Sequence, residues 1–494
     1  MWYNEIDKNH EREDIFMKKI RLISTCLLLS SAVLLQGCSS NDHGLDPDKP
    51  VTLTLWHYYS GSQKQAFDEL VDEFNETQGK KQGINVDAVA KGSISNISTD
   101  LKSSLDKKVN APELPNIFAA YGDTAEDMEK ADKLVAINDY MSDEEMEEYV
   151  DDYMKDGSLY DHEYVNIFPI AKATEIMVIN KNIWDDFAKK EQVSLSDLDT
   201  WEGLTSVSEK YYTYSGGKSF FGRDALMNYL NAGSEQLGTP LFTISGQKAS
   251  FTVSKETMRK LWDQYYIPFV KGYYAKNGRF ASDDMKTEDI IACVASSAGA
   301  TFFPNEIVGS DGNSYDVNYI VRRVPNFAGK KSYAITQGAG MAISKSDETQ
   351  EYASIQFLKW FTEKERNTLF SVQSSYLPVK KDANSFASWN TITKEEKITA
   401  NQLVKDIVKT SMETVSESTL TSQKSFDGSY GIRNYLETAL NEKCSADAAA
   451  VKKAVQNGTS HEQAVKPYLS DANFEKWFTQ ITKDINAKMK DSDA

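Results

Sequence analysis

Trp56, His57, Tyr58, Tyr59 and Ser60 stand in one unbroken run, joining flat apolar rings to hydrogen-bonding groups. Such a set suits a ring compound with one apolar face and polar edges, because aromatic faces stack and hydroxyls pair. Trp56, Tyr58, Tyr121, Phe426 and Tyr430 are the chain's candidate stacking surfaces for a sugar ring, and Asp, Asn and Arg side chains suit its hydroxyls. A second kind of chemistry is offered by Ser296-Ser-Ala-Gly-Ala-Thr301, where small residues let backbone N–H groups approach a ligand closely. The same run also reads as a plain turn.

These residues need elements to hold them. Val51 to Ser60 alternates apolar and polar residues, breaks at Gly61, and gives way to helical spacing from Ser62 to Phe74. A second strand, Ile84 to Val89, follows Gly83, which predicts a strand, helix and parallel strand with Trp56 to Ser60 at the carboxyl end, where ligands favour α/β sheets. Further strands are expected over Asn116–Ala120 and Glu288–Ala295, the latter running into a short helix. Thr200 is an expected helix N-cap, with Trp201 structural. Arg223 is expected to pair with Asp224.

At the amino end, Met17-Lys-Lys-Ile-Arg21 is a basic flank and Leu22 to Leu35 an apolar run of fourteen residues. That run is short for a bilayer span, and with Leu35-Gln-Gly-Cys38 it reads as a lipoprotein signal ending at a lipidation site, Cys38. Acyl chains there anchor a protein without a transmembrane helix, at roughly 0.8 kcal/mol per buried CH₂. Residues 1–37 are then leader and signal, with Met17 an alternative start to Met1, and residues 38–50 a polar tether. A disulfide between Cys293 and Cys444 is left open.

The net charge of −18 argues against a nucleic-acid partner, although it does not forbid a locally bound anion. No Cys/His spacing suggests a metal, no cofactor motif is visible, and no nucleophile elbow, catalytic triad order or P-loop is present. Asp123 and Glu175 could supply the two carboxylates of a glycosidase, but nothing in the sequence sets their separation.

The run LTLWHYYSGSQKQAFDELVDEFNE resembles the mature amino end of extracellular solute-binding lipoproteins, carbohydrate-type, of ABC importers. Tyr164 to Lys181, Asp199 to Leu204, Ala334 to Ile343 and the helix pair ending in Ser375-Tyr-Leu-Pro378 resemble further segments of that family. The resemblance implies a two-lobed α/β, periplasmic-binding-protein-like fold with a ligand cleft at the hinge. Lobe 1 would comprise 51–171 and 337–377, and lobe 2 172–336 and 378–490.

Carried over residue by residue, the resemblance implies a ligand site of Trp56, Tyr58, Tyr59, Tyr121, Asp123, Lys172, Thr174, Ser296, Ser297, Gly338, Tyr376 and Arg433. Asp123 could equally cap the next helix, and Lys172 could equally pair with Glu175. The implied function is capture of a carbohydrate for a membrane permease, by a monomer anchored on the outer side of the cell membrane. Ser297, Gly338, Tyr376 and Arg433 also resemble relatives that bind glycerol 3-phosphate, so a polyol phosphate is an alternative ligand. A surface glycoside-acting enzyme and a ligand sensor are the rival functions.

Overall fold

The computed structural model describes residues 43–160, 164–309 and 312–492. The chain divides into residues 1–45, of which only 43–45 are described, and residues 46–494, which carry every element below. The expected leader, signal and Cys38 lie outside the described residues.

Strand β1 (Val51–His57), helix α1 (Gly61–Glu76) and strand β2 (Ile84–Ala90) form as the residue pattern predicts. β1 and β2 are parallel, with Val51 opposite Ile84 and His57 opposite Ala90. α1 buries Ala66, Phe67, Leu70, Val71 and Phe74, the spacing of a single apolar stripe. Each fully buried aromatic on that stripe contributes about 2–3 kcal/mol of transfer free energy.

The chain continues through β3 (Ile117–Ala120), α2 (Gly122–Lys130), β4 (Ile167–Phe168), β5 (Glu175–Asn180), β6 (Phe221–Arg223), β7 (Ala292–Ser296), β8 (Tyr319–Arg323), β9 (Tyr333–Ile335), β10 (Gly340–Ile343), β11 (Thr419–Thr421) and α3 (Ser429–Gln456). A first sheet has the order β2-β1-β3-β10-β4, and a second the order β8-β5-β7-β6. β10 runs antiparallel to both of its neighbours. β5 is likewise antiparallel to β8 and β7.

Alternation along β5 splits the packing around the second sheet. Met177 and Ile179 join a core with Trp184, Trp201, Trp262 and Tyr265, whereas Ile176 and Val178 join another with Met285, Trp389 and Ile407. Cys444 belongs to the former and Cys293 to the latter, and both thiols are free. β7 begins at Ala292, four residues after the expected Glu288, and the short helix expected after it is a 3-10 turn over Ser297–Phe302. Thr200 caps its helix as expected, its hydroxyl accepting from the Gly203 N–H at 3.0 Å, and Trp201 is buried.

Three connecting segments lie side by side next to the sheets. Ala173 and Gln337 exchange N–H···O bonds at 2.8 Å each, and Lys172 and Leu377 do so at 3.1 and 2.5 Å. The segment from β4 to β5 is thus bonded to the segment entering β10 on one side and to the stretch around Tyr376 on the other. β9 extends this region by pairing in parallel with β11.

Candidate functional site

A cleft of about 1500 Å³ opens beside these segments. Its walls come from α2, the hinge segments, β7's end and the stretch from Thr419 to Glu437 that leads into α3.

At the floor, Gly338 has φ +95°, a backbone state that side chains rarely adopt. A Cβ there would stand 2.8 Å from the Ala171 carbonyl oxygen and 3.3 Å from a ring carbon of Tyr376, so the site needs glycine for both reasons. The close approach also lets the Lys172 ammonium reach the Gly338 carbonyl at 3.3 Å while pairing with Asp156 at 2.5 Å. Tyr376 shares a 2.9 Å hydroxyl contact with Tyr58. Tyr121 lies on the wall with 42% of its surface exposed, and burial of its hydroxyl with the neighbouring Asp156 and Asp123 charges pushes its pKa up to about 12.

Asp123 sits in the first turn of α2, whose N-cap is Tyr121. Its carboxylate is engaged by the Arg433 guanidinium on α3, so this wall of the cleft is tied across from α2 to α3. Two turns further along α2, the Lys130 ammonium lies 2.6 Å from Glu126 and 2.8 Å from Asp427. Burial pushes the Glu126 carboxyl up to about 7, against the pull of Lys130.

Tyr121, Asp123, Lys172, Ser296, Gly338, Tyr376 and Arg433 line the cleft together. Tyr58 stands just behind, holding the Tyr376 hydroxyl. The remaining expected site residues face elsewhere. Trp56 is buried in the first sheet, its ring covered by the Lys91 ammonium at 4.1 Å. Tyr59 is buried against Phe67 and Phe370, with ring centroids 5.1 and 5.4 Å away. Ser297 and Thr174 are buried and bond each other: the Thr174 N–H donates to the Ser297 hydroxyl at 3.2 Å, and the Ser297 N–H to the Thr174 carbonyl at 2.8 Å. Phe426 is buried too, while Tyr430 is exposed on the rim.

Two expected pairings are replaced. Lys172 pairs with Asp156 rather than with Glu175, and Arg223 pairs with Glu175 at 2.8 Å while giving Asp224 only a bond to its carbonyl oxygen. Glu175 is therefore occupied by Arg223 and by the Asn228 amide at 3.0 Å, and it does not face Asp123 as the second carboxylate of a hydrolase. Asn228, Gln423, Gln337, Tyr333 and Asp156 also line the cleft and escaped the sequence reading. Their only signal was polarity in a loop or helix end, which many surface residues share.

Among the described residues no group of His, Cys, Asp and Glu is placed to hold a metal ion, and no helix is long and apolar enough to cross a membrane.

An α/β fold with two main sheets and a polar cleft beside antiparallel-bridged connecting segments is the architecture of a solute-binding protein. The chain belongs to the bacterial extracellular solute-binding protein family, whose sequence pattern matches residues 69–400. No curated protein sequence matches it. Among solved structures it is similar to UgpB from Mycobacterium tuberculosis in complex with glycerophosphocholine, at 17% identity and a TM-score of 0.66, over 90% of this chain and 100% of that one. It is also similar to the cyclic alpha-maltosyl-1,6-maltose binding protein from Arthrobacter globiformis, at 16% identity and a TM-score of 0.63, over 88% and 100%. An ABC substrate-binding protein from Listeria monocytogenes in complex with cycloalternan matches at 14% identity and a TM-score of 0.63, over 90% and 100%. The fold is thus the two-lobed fold of these binding proteins, and the family is one of small-molecule receptors serving ABC importers.

Proposed function

We propose that this protein is the substrate-binding subunit of an ABC carbohydrate importer, held on the outer face of the cell membrane through an acylated Cys38. It works as a monomer, takes up its sugar in the cleft, closes around the hinge and presents the loaded form to a membrane permease. Residues 51–171 with 337–377 form one lobe, and 172–336 with 378–490 the other. No catalytic step is assigned to it.

The observation that carries this reading is the cleft's lining. Tyr121 and Tyr430 offer exposed rings, the buried Tyr376 reaches the lining beside Gly338, and Asp123, Asn228 and Gln423 offer acceptors and amides to hydroxyl groups. Its volume of about 1500 Å³ exceeds the roughly 300–1,000 Å³ usual for small-molecule sites and leaves room for more than one sugar ring. Contacts to ligand are assigned to Tyr121, Asp123, Lys172, Ser296, Gly338, Tyr376 and Arg433.

Thermal unfolding of the protein beginning at Ser39 tests the reading against neutral mono- and oligosaccharides, sugar phosphates and glycerol phosphates. A ligand at about 100 times its dissociation constant adds roughly 2.7 kcal/mol of stability. A shift with neutral sugars is expected. Stabilisation by phosphorylated compounds alone would replace the carbohydrate with a polyol phosphate, the reading for which UgpB with glycerophosphocholine is the relevant likeness.

A further inference from the structure

Of the cations that line the cleft, which also include Lys102, Lys155 and Lys424, three are tied to carboxylates close by. Lys172 is paired with Asp156 at 2.5 Å, Lys130 with Glu126 and Asp427 at 2.6 and 2.8 Å, and Arg433 with Asp123. None of the three ammonium or guanidinium groups stands opposite the cleft as an isolated positive charge. The Arg433 pair differs from the others in position. The Asp123 and Arg433 side chains retain only 8% and 12% exposure, yet both line the cleft, joined to each other on one wall of it.

An arginine in a cleft is a ready partner for phosphate, since its planar fork of donors matches the oxygens of an oxyanion. Here one terminal nitrogen of that fork is already engaged by the Asp123 carboxylate, which neutralises its charge. A bound phosphate would have to displace Asp123 or sit beside it, and like charges brought together in a partly desolvated site repel strongly. A neutral polyol meets no such conflict, because it can donate to Asp123 while the ion pair stays intact. The Ser297 hydroxyl, the other group suited to an anion, is turned away to the Thr174 N–H.

We propose that Asp123 sets the charge class of the ligand: by neutralising Arg433 it makes the cleft reject anionic solutes, so that its removal turns the same site into a phosphate binder. This rests on the carbohydrate reading above and adds to it the residue that enforces it. Asp123 is here a specificity determinant acting through Arg433.

Inorganic phosphate is the probe, titrated into the protein beginning at Ser39 at constant ionic strength while thermal unfolding is followed. The wild type should show no saturable rise in Tm beyond that given by chloride. Asp123→Asn should show a saturable rise with an apparent Kd at least tenfold tighter than the wild type's, and adding Arg433→Gln should abolish it. Asp123→Ser serves in the same role where the asparagine variant does not melt cooperatively.

In parallel, the wild type should bind a neutral sugar at least tenfold more tightly than the phosphate ester of that sugar. A wild type that takes phosphate as well as Asp123→Asn does, or a folded Asp123 variant that gains nothing, overturns the inference alone when neutral sugars still bind. A wild type that prefers the phosphate ester overturns both the inference and the carbohydrate reading, whatever the variants do.

Discussion

One terminal nitrogen of Arg223 lies 2.8 and 2.9 Å from the two carboxylate oxygens of Glu175, and neither side chain reaches solvent to any extent. Asn228 donates to the same carboxylate at 3.0 Å, while Trp201 and Tyr229 stand 5.9 and 5.5 Å from the guanidinium carbon. The charge is held where β5 leaves the hinge segments, so the pair fixes the start of the second sheet relative to them. Breaking it by Glu175→Gln leaves a buried arginine without its counter-charge and should cost about 3–5 kcal/mol. Urea unfolding measures this, and a variant within about 0.5 kcal/mol of wild type would show that the pair is not what holds this corner.

His57 is buried between Tyr59 and Phe67, and neither ring nitrogen has a protein partner among the described residues. Burial lowers its pKa from 6.5 to about 4, partly countered by Asp68. The unfolded chain therefore binds the proton more readily, so stability is lost as pH falls from about 6.5 towards 4. This amounts to at most about 3 kcal/mol. His57→Phe should remove that part of the acid sensitivity, read as a smaller difference in unfolding free energy between neutral and mildly acid buffer. An unchanged difference would exclude His57 as its source.

Gly338→Ala forces a Cβ against the Ala171 carbonyl at 2.8 Å in a left-handed backbone state. The expected loss is about 1–3 kcal/mol, together with weakened ligand binding, because the Lys172 and Tyr376 contacts share that space. Calorimetry of the variant with and without sugar separates the two effects. Equal melting and equal affinity would contradict the close packing described here.

Tyr376→Phe removes the partner of the Tyr58 hydroxyl and should cost about 1 kcal/mol. If the hydroxyl also meets the ligand, affinity falls further than stability does. Titration calorimetry at matched temperature provides the comparison, and unchanged affinity would take the Tyr376 hydroxyl off the ligand surface.

Burial pushes the Cys293 and Cys444 thiols well above their ordinary range. In protein beginning at Ser39, neither should react with a thiol reagent under native conditions, and both should react once the chain is unfolded in urea without reductant. Two silent cysteines in the unfolded chain would mean that they are bonded to each other.

The pattern from Val51 to Val89 was legible because alternation and helical spacing follow each other within forty residues. The side on which Trp56 and His57 lie was not. β1 has a strand on either side, and the residues at its carboxyl end are buried on both faces, so neighbours in sequence turn to opposite cores and neither opens on the cleft. Gly338 and Tyr376 were reached through family resemblance, and the hinge geometry supplies the reason for the glycine. Arg223 was misread because Asp224 is adjacent, whereas its partner Glu175 lies 48 residues earlier. Lys172 and Asp156 meet for the same kind of reason: the hinge brings together carboxylates and cations that local spacing cannot link.

The first sheet also sets an order of events. β4 touches it only through β10, and β10 sits between β3 and β4 although it emerges from the ribosome more than 170 residues later than Phe168. A nascent chain that has reached Phe168 can pair β2, β1 and β3 but cannot attach β4 to them, and closing the sheet demands a contact between distant parts of the sequence, which slows folding. The amino-terminal half of the sheet therefore stays unfinished until a strand from the far half of the sequence has been made and brought back to it.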